Sequence, residues 1–129
     1  MTNDELAAFY RRYNTCCNDH AFEGFDQFVA RRVVVNGAER GLDDYAEALR
    51  FVVRGFPDYR WELRHLVVDE PWIAAHLTDT GTHQSAFMGV PATGRSVATE
   101  EFAFYRVADG RIAEVWGMSF HVQLLEQLR

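Results

Sequence analysis

The sequence predicts a single α+β domain in which helices come first and a run of antiparallel strands comes second. Apolar side chains recur every three or four residues up to about residue 55 and follow strand-like patterns after it. The pair Asp109-Gly110 is a two-residue hairpin signal, typical of neighbouring antiparallel strands. A chain of 129 residues, 48% of them hydrophobic, can bury one core, so we predict one domain spanning residues 1–129.

Three helices are predicted in the first half of the chain. Thr2 and Glu5 form a capping-box pattern ahead of the first helix, residues 4–18, whose apolar face is unusually aromatic. That face consists of Leu6, Phe9, Tyr10, Tyr13 and Cys17. Helical spacing continues over residues 22–29, which predicts a short second helix. The third covers residues 41–54 and stops at Gly55, with Pro57 shortly beyond it.

The strands follow a different pattern. A short strand at residues 33–35 precedes the turn Asn36-Gly37, and longer strands are predicted over residues 59–69, 72–81, 97–108 and 111–119. Between Val97 and Val107 neither set of alternating residues is fully polar, so neither face of that strand can be fully solvated. We therefore expect helices and a pocket on one face, and a second copy of the chain on the outer face, giving a homodimer.

Composition and motifs exclude several functions. A net charge of −6 disfavours nucleic acid and anionic membranes as partners. The N-terminus is acidic and the chain has no long apolar run, which predicts a cytoplasmic protein. The adjacent residues Cys16 and Cys17 cannot form a disulfide bond without strain, so we expect reduced thiols. The sequence contains no G-x-G-x-x-G, Walker, H-E-x-x-H or G-x-S-x-G motif, so we expect no metal or nucleotide cofactor and no serine esterase.

Residues 80–95, with the sequence TGTHQSAFMGVPATGR, carry a family resemblance. The segment resembles the SnoaL-like ester or polyketide cyclases of the nuclear transport factor 2-like superfamily, whose pattern there is G-T-H followed by F-x-G-x-P-x-T-G-[RK]. Further matches keep the same order, and the similarity extends from about Leu6 to the end. They are Phe56-Pro57-Asp58, Tyr105-Arg106, Asp109-Gly110-Arg111-Ile112, Glu114 and Trp116.

The resemblance implies a fold and an activity. The fold is a nuclear transport factor 2-like cone, in which three N-terminal helices pack on a strongly curved, mainly antiparallel sheet that encloses a pocket. The activity is ring closure of a polyketide methyl ester by aldol condensation, with no metal or cofactor. Such chemistry takes a proton from the carbon next to a carbonyl and gives one to the developing alkoxide. A carboxyl group in an apolar pocket suits both steps because burial raises its pKa toward neutrality.

The sequence departs from the family where that carboxylate is expected. The family pattern near the end of the last strand resembles W-D-x-x-D, whereas this chain has Gly117 and Phe120 at the two acidic positions. We predict a SnoaL-like cyclase, or a related cofactor-independent acid/base enzyme, that acts on an apolar, carbonyl-bearing small molecule. The alternative is a non-catalytic binding module that has lost the family's acid/base Asp.

Glu101 is the first candidate for the missing acid/base. It shares a strand face with Ala103 and Tyr105, and the resemblance places that face toward the pocket, with Gly117 leaving space for it. The alternative is a strand glutamate that faces solvent or pairs with an arginine. His83, from the G-T-H motif, is the second catalytic candidate, as a proton relay or as a hydrogen-bond donor to a substrate carbonyl. Its alternative role is to orient the loop.

Other side chains are predicted to bind substrate. The Asn36 amide is a candidate donor to an enolate oxygen, or it simply belongs to an Asn-Gly turn. His121 can also turn inward, although it reads equally as a surface residue that starts a helix. Aromatic residues are predicted to line the cavity, with plain core packing as the alternative. They are Tyr10, Tyr13, Phe56, Trp61, Phe87, Tyr105 and Trp116.

Overall fold

The computed structural model describes residues 1–117 and 121–129. It contains one six-stranded sheet in the order β2-β1-β6-β5-β4-β3, in which only the β1–β6 pair is parallel. The sheet is curved and stays open, with β2 and β3 as its edges. The strands are β1 (Val29–Val35), β2 (Ala38–Gly41), β3 (Arg60–Asp69), β4 (Trp72–Thr82), β5 (Ser96–Ala108) and β6 (Arg111–Trp116).

Helix α1 (Asn3–Asn18) begins where the capping box predicts. The Thr2 side chain accepts a hydrogen bond from the Glu5 N–H, and the Glu5 carboxylate accepts one from the Thr2 N–H. The five apolar residues predicted for its inner face are all buried. Helix α2 (Leu42–Gly55) buries Tyr45, Ala46, Leu49 and Val52 along one face. Both helix predictions are confirmed within one residue at each end.

The short helix predicted over residues 22–29 is confirmed over its first six residues and wrong at its last two. Residues Phe22–Gln27 form a 3₁₀ helix, and Val29 already belongs to β1, where it pairs with Ile112. A buried β-branched valine fits a strand better than a helix end. The short edge strand β2 was not predicted. The last predicted strand ends at Trp116, and its remaining positions 118 and 119 fall outside the described residues.

The core lies between the inner face of the sheet and helices α1 and α2. On β4 and β5 alternate residues are buried, and these two strands pair over eleven positions. Helix α3 (His121–Gln127) lies against the start of β5, where the Gln127 amide exchanges two hydrogen bonds with the Ala98 backbone. Among the helices in the described residues, none is long and apolar enough to cross a membrane.

Candidate active site

A pair of carboxyl groups lies inside the core where β4 and β5 meet. In the register of these strands Leu77 faces Glu101 and Asp79 faces Thr99, so Asp79 and Glu101 are diagonal neighbours on the inner face. The exposed fractions of Asp79 and Glu101 are 0% and 4%, and the two carboxyl groups lie close enough for each to shift the pKa of the other. The Tyr59 hydroxyl donates a further hydrogen bond to Asp79 Oδ2 at 3.3 Å. The sequence analysis identified Glu101 but missed Asp79.

Burial changes the acidity of both carboxyl groups. It raises the pKa of Asp79 to about 6, although hydrogen bonds from Glu101 and Tyr59 oppose the rise. Burial also raises the pKa of Glu101 well above its usual range, and the neighbouring Asp79 raises it further. One oxygen of each group, Asp79 Oδ1 and Glu101 Oε1, has no hydrogen-bond partner among the described residues. Buried polar atoms without partners are uncommon and often mark functional sites.

Glu101 lines a small cavity in the core. Four of the predicted aromatic residues line it as well: Tyr10, Tyr13, Trp61 and Tyr105. The volume of this cavity is about 10 Å³, which is room for one water molecule at most. The resemblance predicts an enclosed pocket here, but aromatic side chains nearly fill the interior. The remaining lining residues, Asn14, Cys17, Leu49 and Leu77, were not predicted.

Tyrosine hydroxyls provide the polar atoms around this cavity. The hydroxyls of Tyr13 and Tyr45 are 2.6 Å apart, and those of Tyr10 and Tyr105 are 3.4 Å apart. Burial raises the pKa of each of the four, so all are neutral hydrogen-bond donors at physiological pH. These hydroxyls can therefore donate to a carbonyl oxygen if a ligand displaces one partner of a pair.

A larger groove lies next to the cavity, on the far side of Leu49. Its volume is about 280 Å³, and it is lined by Val35, Arg40, Asp44, Tyr45, Ala48, Leu49 and His121. Leu49 lines both spaces, and Tyr45 connects them through its hydrogen bond to Tyr13. Partial burial lowers the pKa of His121 in this groove. The groove is thus mostly apolar with charged residues at its rim, a combination typical of small-molecule sites.

Comparison with known proteins identifies the family. The profile described as SnoaL-like polyketide cyclase matches residues 7–128. The chain belongs to this family. It is 31% identical over 77 residues to aklanonic acid methyl ester cyclase DnrD of Streptomyces peucetius, a match that covers 58% of this chain and 52% of DnrD. The match to DauD, the cyclase of that name in Streptomyces sp. (strain C5), covers 47% of DauD, so the chain matches about half the length of these relatives.

Solved structures agree with this assignment. A SnoaL-like polyketide cyclase from Agrobacterium tumefaciens superposes with a TM-score of 0.79 at 32% identity, covering 94% of this chain and 97% of that one. TsrD from Streptomyces laurentii superposes with a TM-score of 0.85 at 22% identity, over 99% of this chain and 97% of that one, which supports the fold alone. The predicted fold class and family are confirmed.

The family's G-T-H motif has a structural role in this chain. The His83 ring is fully buried, and its Nδ1 accepts a hydrogen bond from the Thr93 N–H at 3.1 Å. Backbone hydrogen bonds with Gly94 and Arg95 fasten the same loop. His83 lies six residues beyond Leu77, the partner of Glu101, which corresponds to roughly 20 Å along an extended strand. The structure thus does not bring His83 to Glu101, contrary to the predicted catalytic pairing.

Two of the predicted lining residues pack around His83 instead. The Phe56 ring centroid lies 5.3 Å from that of His83 and 5.1 Å from that of Phe87. Both phenylalanines are buried, but neither lines the cavity of Glu101. The cavity role predicted for them is therefore corrected to core packing.

Replacing His83 with Ala is expected to destabilise the fold by about 2–4 kcal/mol, because it leaves a cavity and removes the acceptor for Thr93. Urea unfolding would measure this loss. A Phe51→Ala variant, which truncates a half-exposed ring over the same cluster, is the control and is expected to cost less. A His83→Ala variant of full stability would contradict the loop-fastening role.

Asn36 is placed at the surface rather than toward the interior. It is exposed in the turn between β1 and β2, where its φ is +50°. Its side-chain Oδ1 accepts a hydrogen bond from the Gly117 N–H at 2.8 Å. The predicted Asn-Gly turn is confirmed. Asn36 does not line the cavity of Glu101, so the structure does not place its amide where it could donate to an enolate beside Glu101.

Trp116 faces the outer side of the sheet, so its prediction as a cavity residue is also wrong. The β5–β6 register shifts where Arg106 pairs with Glu114 but Val107 pairs with Ile112. One extra residue in β6 reverses the alternation, which turns Val115 inward and leaves Trp116 42% exposed. The Trp116 indole N–H donates to the Glu114 carboxylate at 2.7 Å.

Gly117 is likewise on the outer side, where it lines a groove with Phe102 and Trp116. Its φ is +93°, and a Cβ added to it would lie 2.3 Å from the Phe102 carbonyl oxygen. The expectation that Gly117 leaves space for Glu101 is therefore wrong. The other position of the family's acidic pattern, Phe120, lies outside the described residues.

Proposed function

We propose that the chain is a cofactor-independent acid/base enzyme of the cyclase kind, acting on an apolar small molecule that carries carbonyl groups. The observation that carries this proposal is Glu101, a carboxyl group of raised pKa at the wall of an aromatic cavity. A carboxyl group with these properties exchanges protons with carbon acids at neutral pH. Membership of the polyketide cyclase family supports the reaction class.

In the proposed reaction the ionised Glu101 removes a proton from the carbon next to a substrate carbonyl. The electron pair of the broken C–H bond forms an enolate, which attacks a second carbonyl carbon and closes the ring. The alkoxide oxygen formed in that step takes the proton back from Glu101. Tyr10 and Tyr105, which line the same cavity, are positioned to donate hydrogen bonds to the enolate oxygen.

The cavity beside Glu101 holds about one water, so we propose that a substrate enters it from the 280 Å³ groove, with which it shares Leu49. Entry requires the Leu49 side chain and the Tyr13–Tyr45 pair to move apart. DnrD is, by its name, a cyclase of aklanonic acid methyl ester. We propose the same class, an aromatic polyketide ester, as the substrate of this chain.

Proton exchange in D₂O tests the function directly. Apolar aromatic ketones and keto esters are incubated with the protein, and deuterium at the carbon next to the carbonyl is followed by mass spectrometry together with ring closure. We expect exchange above the rate without protein. Binding without any exchange across the panel would contradict the enzyme proposal.

The alternative is a non-catalytic binding module, and the nearly filled interior favours it. In that case the 280 Å³ groove alone holds the ligand. The affinity for an apolar ligand should then be unaffected by Glu101→Gln, whereas a substrate that reaches Glu101 should bind the variant differently.

We also propose that the chain forms a homodimer through the outer face of the sheet. The exposed fractions of Val67, Phe102 and Phe104 on this face are 66%, 65% and 43%. The ring of Phe102 stacks on His76 and that of Phe104 on Trp72, so flat apolar surfaces face outward. Surfaces of this kind mark protein interfaces.

Phe102→Asp is expected to convert the dimer to a monomer, because it places a charge in the apolar centre of this face. Light scattering after size exclusion should show twice 14.8 kDa for the wild type and 14.8 kDa for the variant. Val122→Asp, at a 63% exposed site on α3, is the matched control and should remain dimeric. A monomeric wild type at micromolar concentration would contradict the proposal.

A further inference from the structure

The buried carboxyl pair contains one member that no ligand can reach directly. Glu101 lines the cavity, whereas Asp79 is fully buried and is absent from its lining. We infer that Asp79 is a positioning residue, which shares a single proton with Glu101 and thereby sets the charge of the carboxyl group facing the cavity. This inference rests on the proposed acid/base role of Glu101.

A hydrogen bond between the two carboxyl groups requires a proton, because an ionised carboxylate only accepts hydrogen bonds. Asp79 and Glu101 are buried diagonal neighbours on the inner face of the sheet, so one of them must be protonated for the two groups to hydrogen-bond to each other. Two negative charges on these neighbours would also repel strongly, as in other paired carboxyl sites.

The contacts of the pair indicate which group holds the proton. Tyr59 donates a hydrogen bond to Asp79 Oδ2, which favours the charged form of Asp79. Glu101 Oε1 has no such partner among the described residues. The contact with Asp79 raises the pKa of Glu101, whereas the contacts with Glu101 and Tyr59 lower that of Asp79. Near neutral pH the negative charge therefore lies on Asp79 and the proton on Glu101.

The described side chains around the carboxyl pair supply no positive charge that could take the place of the shared proton. The titratable ones come from α1, α2, β5 and the segment before β3, and all are neutral at pH 7 because burial raises each pKa. They are Tyr10, Tyr13, Cys17, Tyr45, Tyr59 and Tyr105. The exposed Glu100 adds negative charge nearby, and no cation among the described residues contributes to the pKa of either carboxyl group. The shared proton is thus the main compensation for the buried charge.

Sharing one proton lets Glu101 act as both base and acid. When the proton moves from Glu101 to Asp79, the O–H bond on Glu101 breaks, a new one forms on Asp79, and the negative charge passes to Glu101. Glu101 then faces the cavity as a carboxylate. After it has taken and returned a substrate proton, the original arrangement is restored, with the same number of protons and charges.

Carboxyl ¹³C NMR titration of the substrate-free protein tests the inference without any turnover. In the wild type we expect one step near pH 6, with Glu101 still protonated above it. Asp79→Asn should abolish that step and move the Glu101 titration to lower pH, because the neighbouring charge is gone. Tyr59→Phe should move the Asp79 step to higher pH.

Glu100→Gln is the matched control, since Glu100 is the adjacent residue on the exposed face of the same strand. It should leave the titration of Glu101 essentially unchanged. An unchanged Glu101 titration in folded Asp79→Asn protein would overturn the inference. If Asp79→Asn does not fold, an unchanged Asp79 step in Tyr59→Phe would overturn it. A confirmed shared proton without substrate exchange would instead contradict the proposed function alone.

Discussion

Glu101→Gln is expected to reduce ring closure by about 10²–10⁴-fold, the range that one general acid/base group contributes. The amide of glutamine cannot accept a proton from carbon, so the first step of the reaction is lost. The same amide can still donate a hydrogen bond to Asp79, and its volume is close to that of glutamate. The melting temperature at pH 5 should therefore stay within about two degrees of the wild type. Turnover and thermal unfolding are measured on the same preparations.

Glu100→Gln again provides the comparison, because it removes a carboxyl group from the outer face of β5 without touching the cavity. It should retain wild-type turnover. Equal losses of activity and of stability in Glu101→Gln would show that Glu101 is structural, and full activity would exclude it as the acid/base group.

The second large effect concerns the free energy of unfolding, which is expected to fall as the pH rises through 6. The pKa of Asp79 is raised from 3.8 to about 6 in the fold, so the folded state retains a proton that the unfolded chain has released. This contribution to stability is complete below about pH 4 and is lost as the pH rises through about 6. The difference corresponds to roughly 3 kcal/mol, at about 1.4 kcal/mol per pH unit. The raised pKa of Glu101 extends the decline to higher pH.

Asp79→Asn should remove the part of this dependence that comes from Asp79, because the amide carries no charge at any pH in the range. At pH 8 the variant is expected to be more stable than the wild type by up to about 3 kcal/mol, with little difference at pH 4. Urea unfolding at both pH values measures the change. A wild-type stability that rises between pH 4 and 8 would contradict the raised pKa values.

The arrangement of the elements and the direction of Glu101 could be predicted from local patterns. Helices α1 and α2 follow from apolar spacing, and Glu101 lies inside because it shares its strand face with Ala103 and Tyr105. Asp79 was missed although β4 carries the needed signal. It follows Ile73, Ala75 and Leu77 at every second position, which places it inside with them.

Other features depended on information that local patterns do not contain. A single extra residue in β6 reversed the direction of Trp116, and strand periodicity alone does not reveal such a bulge. The interior volume depends on how the tyrosine and tryptophan rings interlock, which the order of residues leaves open. His83 was found through its motif, but its distance from Glu101 followed only from the pairing of β4 with β5.

The backbone at Gly117 limits which side chains this position can accept. The place that a side chain at 117 would occupy is held by the carbonyl oxygen of Phe102, in the neighbouring strand. An acidic residue cannot be introduced there by one substitution, since β5 would first have to shift or the turn after β6 would have to adopt another φ. The acid/base group that we propose for this chain therefore has to come from another position in the fold.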